Sequence, residues 1–287
     1  MVLPLWVKII FFMLIIITFF TIFNTCQAVR PTKSDIGKTP GQLGIDYENV
    51  TFKTEDGLTL TGWFIPGKSD TTIIVGHGYP FSKKNILSHV AFLHPDFNLL
   101  LFDFRYFGES EGSYTTVGFN EQKDLLAAIN FLKQEKKNKS KTLGAFGFSM
   151  SASTFLLTQT NDLQAIVADS PYATLDEMVK KTFSMFPGFT KEPFVLLTNI
   201  ITKIFLGFSP KEVSVVEAIS QKQIPILIIH GTADTYIPVE NSKQIYEASD
   251  KNTTELWLVE GANHIQAYTV QPAQYEKRVK TFFEKNL

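Results

Sequence analysis

Six apolar runs, at residues 72–76, 98–102, 142–146, 165–168, 225–229 and 255–259, alternate with helix-forming stretches such as Phe119 to Lys133 and Ser242 to Ala248. Short continuous apolar runs read as strands buried on both faces, and strands that alternate with helices are joined by crossovers into a mainly parallel sheet covered by helices. Ahead of this pattern, Val50 to Lys53 and Leu58 to Ile65 flank the turn signal Glu55-Asp56-Gly57 and read as an antiparallel hairpin. Sheets of this class place their sites beyond the carboxyl ends of the strands. The residues that follow each run therefore carry the functional argument.

After the run 142–146 comes Gly147-Phe148-Ser149-Met150-Ser151, and then the helix-forming stretch Ala152 to Leu157. A sharp strand-to-helix turn strains the backbone of its middle residue and lifts the Ser149 hydroxyl above the sheet, which requires small neighbours. Gly147 meets that requirement, and Ser151 stands where a second glycine is usual. A Gly-x-Ser-x-small match is weak by itself in a chain with 17 glycines. Two further segments strengthen it: His-Gly-Thr-Ala-Asp at 230–234 and Gly-Ala-Asn-His at 261–264, each just after an apolar run. Ser149, Asp234 and His264 are thereby expected at one edge of one sheet.

With these pieces in order, the chain resembles the α/β-hydrolase superfamily over roughly residues 50–285. The resemblance also rests on His77-Gly78-Tyr79, on Asp103-Phe104-Arg105-Tyr106-Phe107-Gly108-Glu109-Ser110, on Asp169-Ser170-Pro171-Tyr172 and on His230-Gly231. Ser151 is the departure from the family pattern. The resemblance implies a parallel sheet flanked by helices, with a small helical lid. The alternation does break over about residues 171–223, a stretch rich in Phe, Met and Leu and interrupted by Pro187, Gly188, Pro193 and Pro210. In the family such insertions cover the serine, so Phe183, Met185 and Phe186 are expected either to touch substrate or to pack the insertion onto the core.

A serine hydroxyl is a poor nucleophile near neutral pH and needs an adjacent base. His264 is the expected base, and Asp234 the carboxylate that fixes its tautomer and stabilises the imidazolium. Asp169 is a rival acid because it too ends a strand, although Ser170-Pro171 after it suits a structural turn. Attack on a carbonyl creates an oxyanion, and backbone N–H groups aimed at it lower the barrier; by position these belong to Met150 and Tyr79. Gly78 permits close backbone approach. His77 is expected to support that loop, Asp103 and Arg105 to tie theirs by a salt bridge, and His230 to make a structural hydrogen bond. His89 and His94 have no other ligand types at metal spacing, so neither metal nor cofactor is expected.

The reading is a serine hydrolase that cleaves an ester or thioester of a small or acyl-chain substrate through an acyl-enzyme, carboxylesterase- or lipase-like. A serine peptidase is the first alternative and a non-catalytic binding protein of the same fold the second. An aspartate-nucleophile hydrolase is disfavoured because residue 149 is serine. A net charge of −1, from 27 basic and 28 acidic residues, gives no general attraction to nucleic acid. The sequence leaves the oligomeric state open.

The amino-terminal segment shifts in composition. From Val2 to Phe23 Lys8 is the only charge, and a helix of that length, at about 1.5 Å per residue, spans roughly 33 Å, enough for a bilayer. An uncleaved membrane anchor over 1–28 is expected. Cys26-Gln27-Ala28 offers the alternative, a cleaved signal peptide. A linker over 29–48, with Pro31, Gly37, Pro40, Gly41 and Gly44, then leads to a hydrolase domain over 49–287. Arg30, Lys33 and Lys38 after the helix point to a cytoplasmic domain, whereas the signal-like position of the helix points across the membrane; the extracytoplasmic side is expected, with secretion if the segment is cleaved. Cys26 is the only cysteine, so no intramolecular disulfide forms.

Overall fold

The apolar runs form the centre of one eight-stranded sheet in the computed structural model, which describes residues 4–34, 36–186 and 188–287. The strands are β1 (Glu48–Lys53), β2 (Thr59–Ile65), β3 (Thr71–Gly76), β4 (Asn98–Phe102), β5 (Thr142–Phe148), β6 (Ala165–Asp169), β7 (Ile226–Gly231) and β8 (Thr254–Val259). Their spatial order is β1-β2-β4-β3-β5-β6-β7-β8. β1 and β2 form the antiparallel hairpin, β2 pairs antiparallel with β4, and from β4 to β8 all pairs are parallel. β3, β4, β6 and β7 are buried at every residue, which is why they read as unbroken apolar runs, while the edge strand β1 is largely exposed. The chain reverses direction across the sheet between β3 and β5, where a ligand crevice is expected.

The helices are α1 (Leu5–Val29), α2 (Lys83–Val90), α3 (Glu121–Glu135), α4 (Met150–Leu157), α5 (Leu175–Thr182), α6 (Glu192–Leu206), α7 (Val215–Ile219), α8 (Glu240–Ala248), α9 (Ala267–Val270) and α10 (Pro272–Asn286). The chain divides into two compact units: Thr32–Ala173 with Ser214–Leu287, and Met1–Pro31 with Thr174–Val213. In the first, α10 buries Tyr275, Val279, Phe282 and Phe283 in a core shared with Phe146, Phe148, Val75, Leu101, Val167 and Ile229. That stripe follows the helical repeat, with neighbours three and four residues apart.

Part of the expected linker is ordered in this unit. Thr39 Oγ1 accepts the Gln42 N–H while the Gln42 side chain accepts the Thr39 N–H, which caps a 3-10 turn over Pro40–Leu43. Gly44 ends the turn at φ 70°, and Leu43, Ile45 and Tyr47 then pack on the core.

The second unit contains α1, α5 and α6. Phe20 of α1 lies with ring centroids 6.4, 5.9 and 5.7 Å from Phe183, Phe186 and Phe194, and Phe186 stacks on Phe194 at 4.5 Å. Phe183 and Phe186 thus find partners in both α6 and α1, the second of which neither expectation for them included, and Met185 is exposed. The pairing joins segments more than 160 residues apart, so no local spacing announces it. Of the expected anchor and insertion, Met1, Val2, Leu3 and Pro187 lie outside the described residues, as does Asp35 of the linker.

Candidate active site

Ser149 is the single residue between β5 and α4, and its backbone is held at φ 54° and ψ −113°. Such a conformation costs on the order of 1–3 kcal/mol in a non-glycine residue and persists only where the surroundings fix it. Here the Ser149 N–H donates to the Asp169 carbonyl of β6 at 2.8 Å, and the Ser153 N–H donates to the Ser149 carbonyl at 3.1 Å. A Cβ on Gly147 would lie 2.5 Å from the Ala152 nitrogen, so only glycine fits. Ser151, the departure from the family pattern, is accommodated. Its hydroxyl accepts the Phe148 N–H at 2.7 Å and donates to the Phe148 carbonyl at 3.1 Å. Room for its Cβ comes from Gly76 of β3, where a Cβ would lie 2.5 Å from that of Ser151. The missing glycine is compensated on the neighbouring strand.

His264 lies beyond β8, with Nδ1 2.7 Å from Asp234 Oδ2 and Nε2 2.9 Å from Ser149 Oγ. A ring nitrogen facing a carboxylate carries the proton, so Nε2 presents its lone pair to the serine hydroxyl. Asp234 lies just beyond β7, where its Oδ1 accepts the N–H groups of Tyr236 and Ile237, each at 2.8 Å. Burial alone would raise the Asp234 carboxyl. Hydrogen bonds from His230 and His264 and from the Ile237 N–H outweigh it and hold the carboxyl well below the usual carboxylate range. His230 Nε2 faces both the Ile237 carbonyl at 2.8 Å and Asp234 Oδ2 at 3.2 Å, and so carries the proton, while its Nδ1 accepts from the Ser242 hydroxyl at 2.6 Å. His230 is a fully buried brace, as expected of a structural histidine.

The chain leaving β3 runs against the serine: a Cβ on Gly78 would lie 3.3 Å from that of Ser149. Tyr79 follows directly. Met150 opens α4, where the first N–H groups of a helix have no intrahelical acceptor. His77 Nδ1 donates to the Gly78 carbonyl at 2.8 Å and its Nε2 accepts the Phe104 N–H at 3.1 Å, clamping the chain ends beyond β3 and β4 together. Burial holds its pKa below the ordinary histidine value.

Two expectations about carboxylates are settled by packing. Asp103 does not pair with Arg105. It binds Lys83 Nζ at 2.5 Å and accepts the Lys83 N–H at 2.7 Å, capping the positive end of α2. Arg105 instead forms a fork on the buried Asp124, at 2.6 and 2.9 Å, and reaches Asp56 at 2.8 Å. Asp169, the rival acid, accepts hydrogen bonds from Tyr275 Oη at 2.6 Å and Ser170 Oγ at 2.8 Å. Complete burial pushes its pKa up.

A cleft of about 320 Å³ opens beside His264, lined by His77, Gly78, Phe81, Asn85, Ile86, His89, His264 and Ile265. Phe81, Asn85, Ile86 and Ile265 were not singled out from the sequence, and His89 was weighed only as a metal ligand. The Ser82-x-x-Asn85 capping box after Pro80 is the signal that marks α2 and would have brought its first turns into view. Tyr236, also missed, tilts against the His264 ring at 5.0 Å. Among the described residues no group of three or more His, Cys, Asp or Glu is arranged to hold a metal ion.

The comparisons with known proteins accord with this geometry. Residues 110–287 match the model of the prolyl oligopeptidase family. The Bacillus subtilis protein YqkD is 30% identical over 234 residues, covering 79% of this chain and 76% of its own. The Arabidopsis thaliana α/β-hydrolase domain-containing protein WAV2 is 23% identical over 260 residues, 86% of this chain and 82% of its own. Among solved structures, the Pyrococcus furiosus esterase Pf2001 superposes with a TM-score of 0.76 at 33% identity, covering 90% of this chain and 98% of its own.

Proposed function

Because the chain belongs to the prolyl oligopeptidase family, within the α/β-hydrolase superfamily, and is a hydrolase, we propose that it cleaves carboxylic esters through an acyl-enzyme formed on Ser149. The observation that carries this reading is the continuous chain of contacts from Asp234 through His264 to Ser149, at 2.7 and 2.9 Å. As Ser149 Oγ attacks the ester carbonyl, its proton passes to His264 Nε2, and Asp234 stabilises the imidazolium. The N–H groups of Met150 and Tyr79 receive the oxyanion. Collapse expels the alcohol, which takes the proton from His264. Water then repeats the sequence on the acyl group and restores the serine.

Esters are favoured over peptides by the character of the cleft. No Asp, Glu, Lys or Arg lines it, and burial holds His77 and His89 below the ordinary histidine value and therefore neutral near pH 7. A peptide with a free α-amino group would find no carboxylate there. About 320 Å³ is at the small end of ligand pockets and suits a short acyl group. The similarity to the Pyrococcus esterase supports the same choice.

The test is turnover by the purified full-length chain in detergent on p-nitrophenyl esters of graded acyl length and on the matching anilides. Ester turnover that falls with chain length, and that Ser149→Ala abolishes, is expected. Anilide turnover exceeding ester turnover would establish the peptidase reading instead. α1 is the proposed tether, retained in the mature protein, with the hydrolase domain on the extracytoplasmic side. External protease added to intact cells should therefore remove that domain, whereas full protection would place it in the cytoplasm.

A further inference from the structure

We propose that the insertion is itself a membrane element: α6, packed on α1, lies in the hydrocarbon of the bilayer that α1 enters, with its outward apolar face against lipid acyl chains. The argument begins with α1, the one described helix long and apolar enough to cross a membrane. Leu5, Trp6, Ile9, Ile10, Phe11, Phe12, Met13, Leu14, Ile15 and Ile16 are all exposed. A contiguous apolar surface of that extent has no stable place in water, and lipid is the solvent that suits it.

Depth then places α6. Phe20 lies fifteen residues past Leu5, which is about 22 Å along a helix, whereas the hydrocarbon layer is about 30 Å thick. If Leu5 is near one boundary, Phe20 is still inside the other leaflet. Phe183, Phe186 and Phe194 pack on Phe20, so Phe194 of α6 is carried in with it.

The composition of α6 agrees. From Pro193 to Thr202 the helix has no charged residue. Phe194, Val195, Thr198 and Thr202 are its buried residues, while Leu196, Ile200 and Ile204, four residues apart, form an exposed stripe, with Ile204 69% and Phe205 75% exposed. A helix apolar on both faces belongs in a protein interior or in a membrane. At 15 residues it is about 22 Å long, too short to span the hydrocarbon by itself. The polar groups in its middle are hydrogen-bonded within the unit: Thr198 donates to the Phe194 carbonyl at 2.9 Å, Thr202 to the Thr198 carbonyl at 2.8 Å, and Asn199 Nδ2 to the Val195 carbonyl at 2.9 Å. In α1, Thr21 donates to the Ile17 carbonyl at 2.8 Å. Buried threonines four apart on both helices, 21 and 25 on one and 198 and 202 on the other, are the small residues that let helices approach closely in lipid. Lys203, near the end of α6, pairs with Glu212 at 2.6 Å.

The experiment uses the full-length chain, in which Cys26→Ser leaves no thiol. Single cysteines are introduced as Ile9→Cys, Ile200→Cys, Ile204→Cys and, as a control on the hydrolase unit, Lys251→Cys. Each is labelled with an environment-sensitive fluorophore and reconstituted in phosphatidylcholine vesicles that contain nitroxide-tailed lipid. Quenching at 200 and 204 to the same extent as at 9, with none at 251, is expected. Quenching at 9 alone would mean that α1 anchors the protein without α6, and quenching at no position would remove both helices from the bilayer; either result overturns the proposal. The unmodified chain offers an independent check through a phosphatidylcholine with a diazirine in its acyl tail. Adducts on peptides covering 192–206 are expected, and adducts confined to α1, or on neither helix, contradict the proposal.

Discussion

Neighbouring strands β5 and β6 are each followed directly by a serine held at positive φ, Ser149 at 54° and Ser170 at 55°, and the two hydroxyls face different partners. Ser149 Oγ faces the lone pair of His264 Nε2. Ser170 Oγ is tied down: it donates to Asp169 Oδ1 at 2.8 Å and accepts the Ile265 N–H at 3.3 Å, steadying the turn that carries His264. The carboxylates divide in the same way. Hydrogen bonds from His230 and His264 hold Asp234 ionised against its burial, whereas the complete burial of Asp169 outweighs its hydrogen bonds from Tyr275 and Ser170. A strained strand end marks where a nucleophile is possible. What the hydroxyl faces decides whether it becomes one.

The largest effect that bears on this contrast is the loss of each hydroxyl. Ser149→Ala should cut ester turnover by at least about 10³-fold. Ser170→Ala should stay within about tenfold, since a neutral hydrogen bond contributes only about 1 kcal/mol. Equal losses in kcat/KM would break the distinction between the two corners. The carboxylates come next. Asp234→Asn leaves the wrong tautomer on His264 and should lower kcat by on the order of 10⁴, while Asp169→Asn should have a far smaller effect, seen in the same assay.

The same two aspartates should also titrate into stability with opposite signs. Asp234 is held below its unfolded value near 3.9, so its contribution is present above about pH 4 and is lost as pH falls further. Asp169 is raised, so its contribution is present below about pH 4 and is lost as pH rises through its folded value. In urea unfolding followed from about pH 3 to 7, the deficit of Asp234→Asn should shrink on acidification and that of Asp169→Asn on alkalinisation. Slopes of the same sign would contradict these environments. The smallest effect concerns the turn itself. Gly76→Ala should destabilise by about 1–3 kcal/mol through overpacking on Ser151. Ser151→Gly should relieve part of that cost, leaving the Phe155 ring, 2.7 Å from the added Cβ, as the remainder. An additive double-mutant cycle would show that Gly76 does not compensate for Ser151.

The parallel strands were legible because burial on both faces leaves unbroken apolar runs, and residues 226–229 and 256–259 pointed directly at Asp234 and His264. Sequence order could not separate Asp169 from Asp234, since both follow such runs; in the fold the His264 ring meets Asp234 while Tyr275 of α10 closes on Asp169. Arg105 was assigned the wrong partner for a similar reason. Nearness in sequence favoured Asp103, whereas the fold brings Lys83 to Asp103 and Asp124 to Arg105. The insertion was visible as a break in alternation, but its partner α1 lies at the other end of the amino-terminal half and leaves no periodic trace.

The most direct test of an activated serine is a fluorophosphonate probe on the full-length chain in detergent, with the adduct located by peptide mass spectrometry. The account predicts a single adduct on Ser149, lost in Ser149→Ala and strongly slowed in His264→Ala, with Ser170 unmodified. A folded wild-type chain that takes no label, or takes it on Ser170, would contradict it.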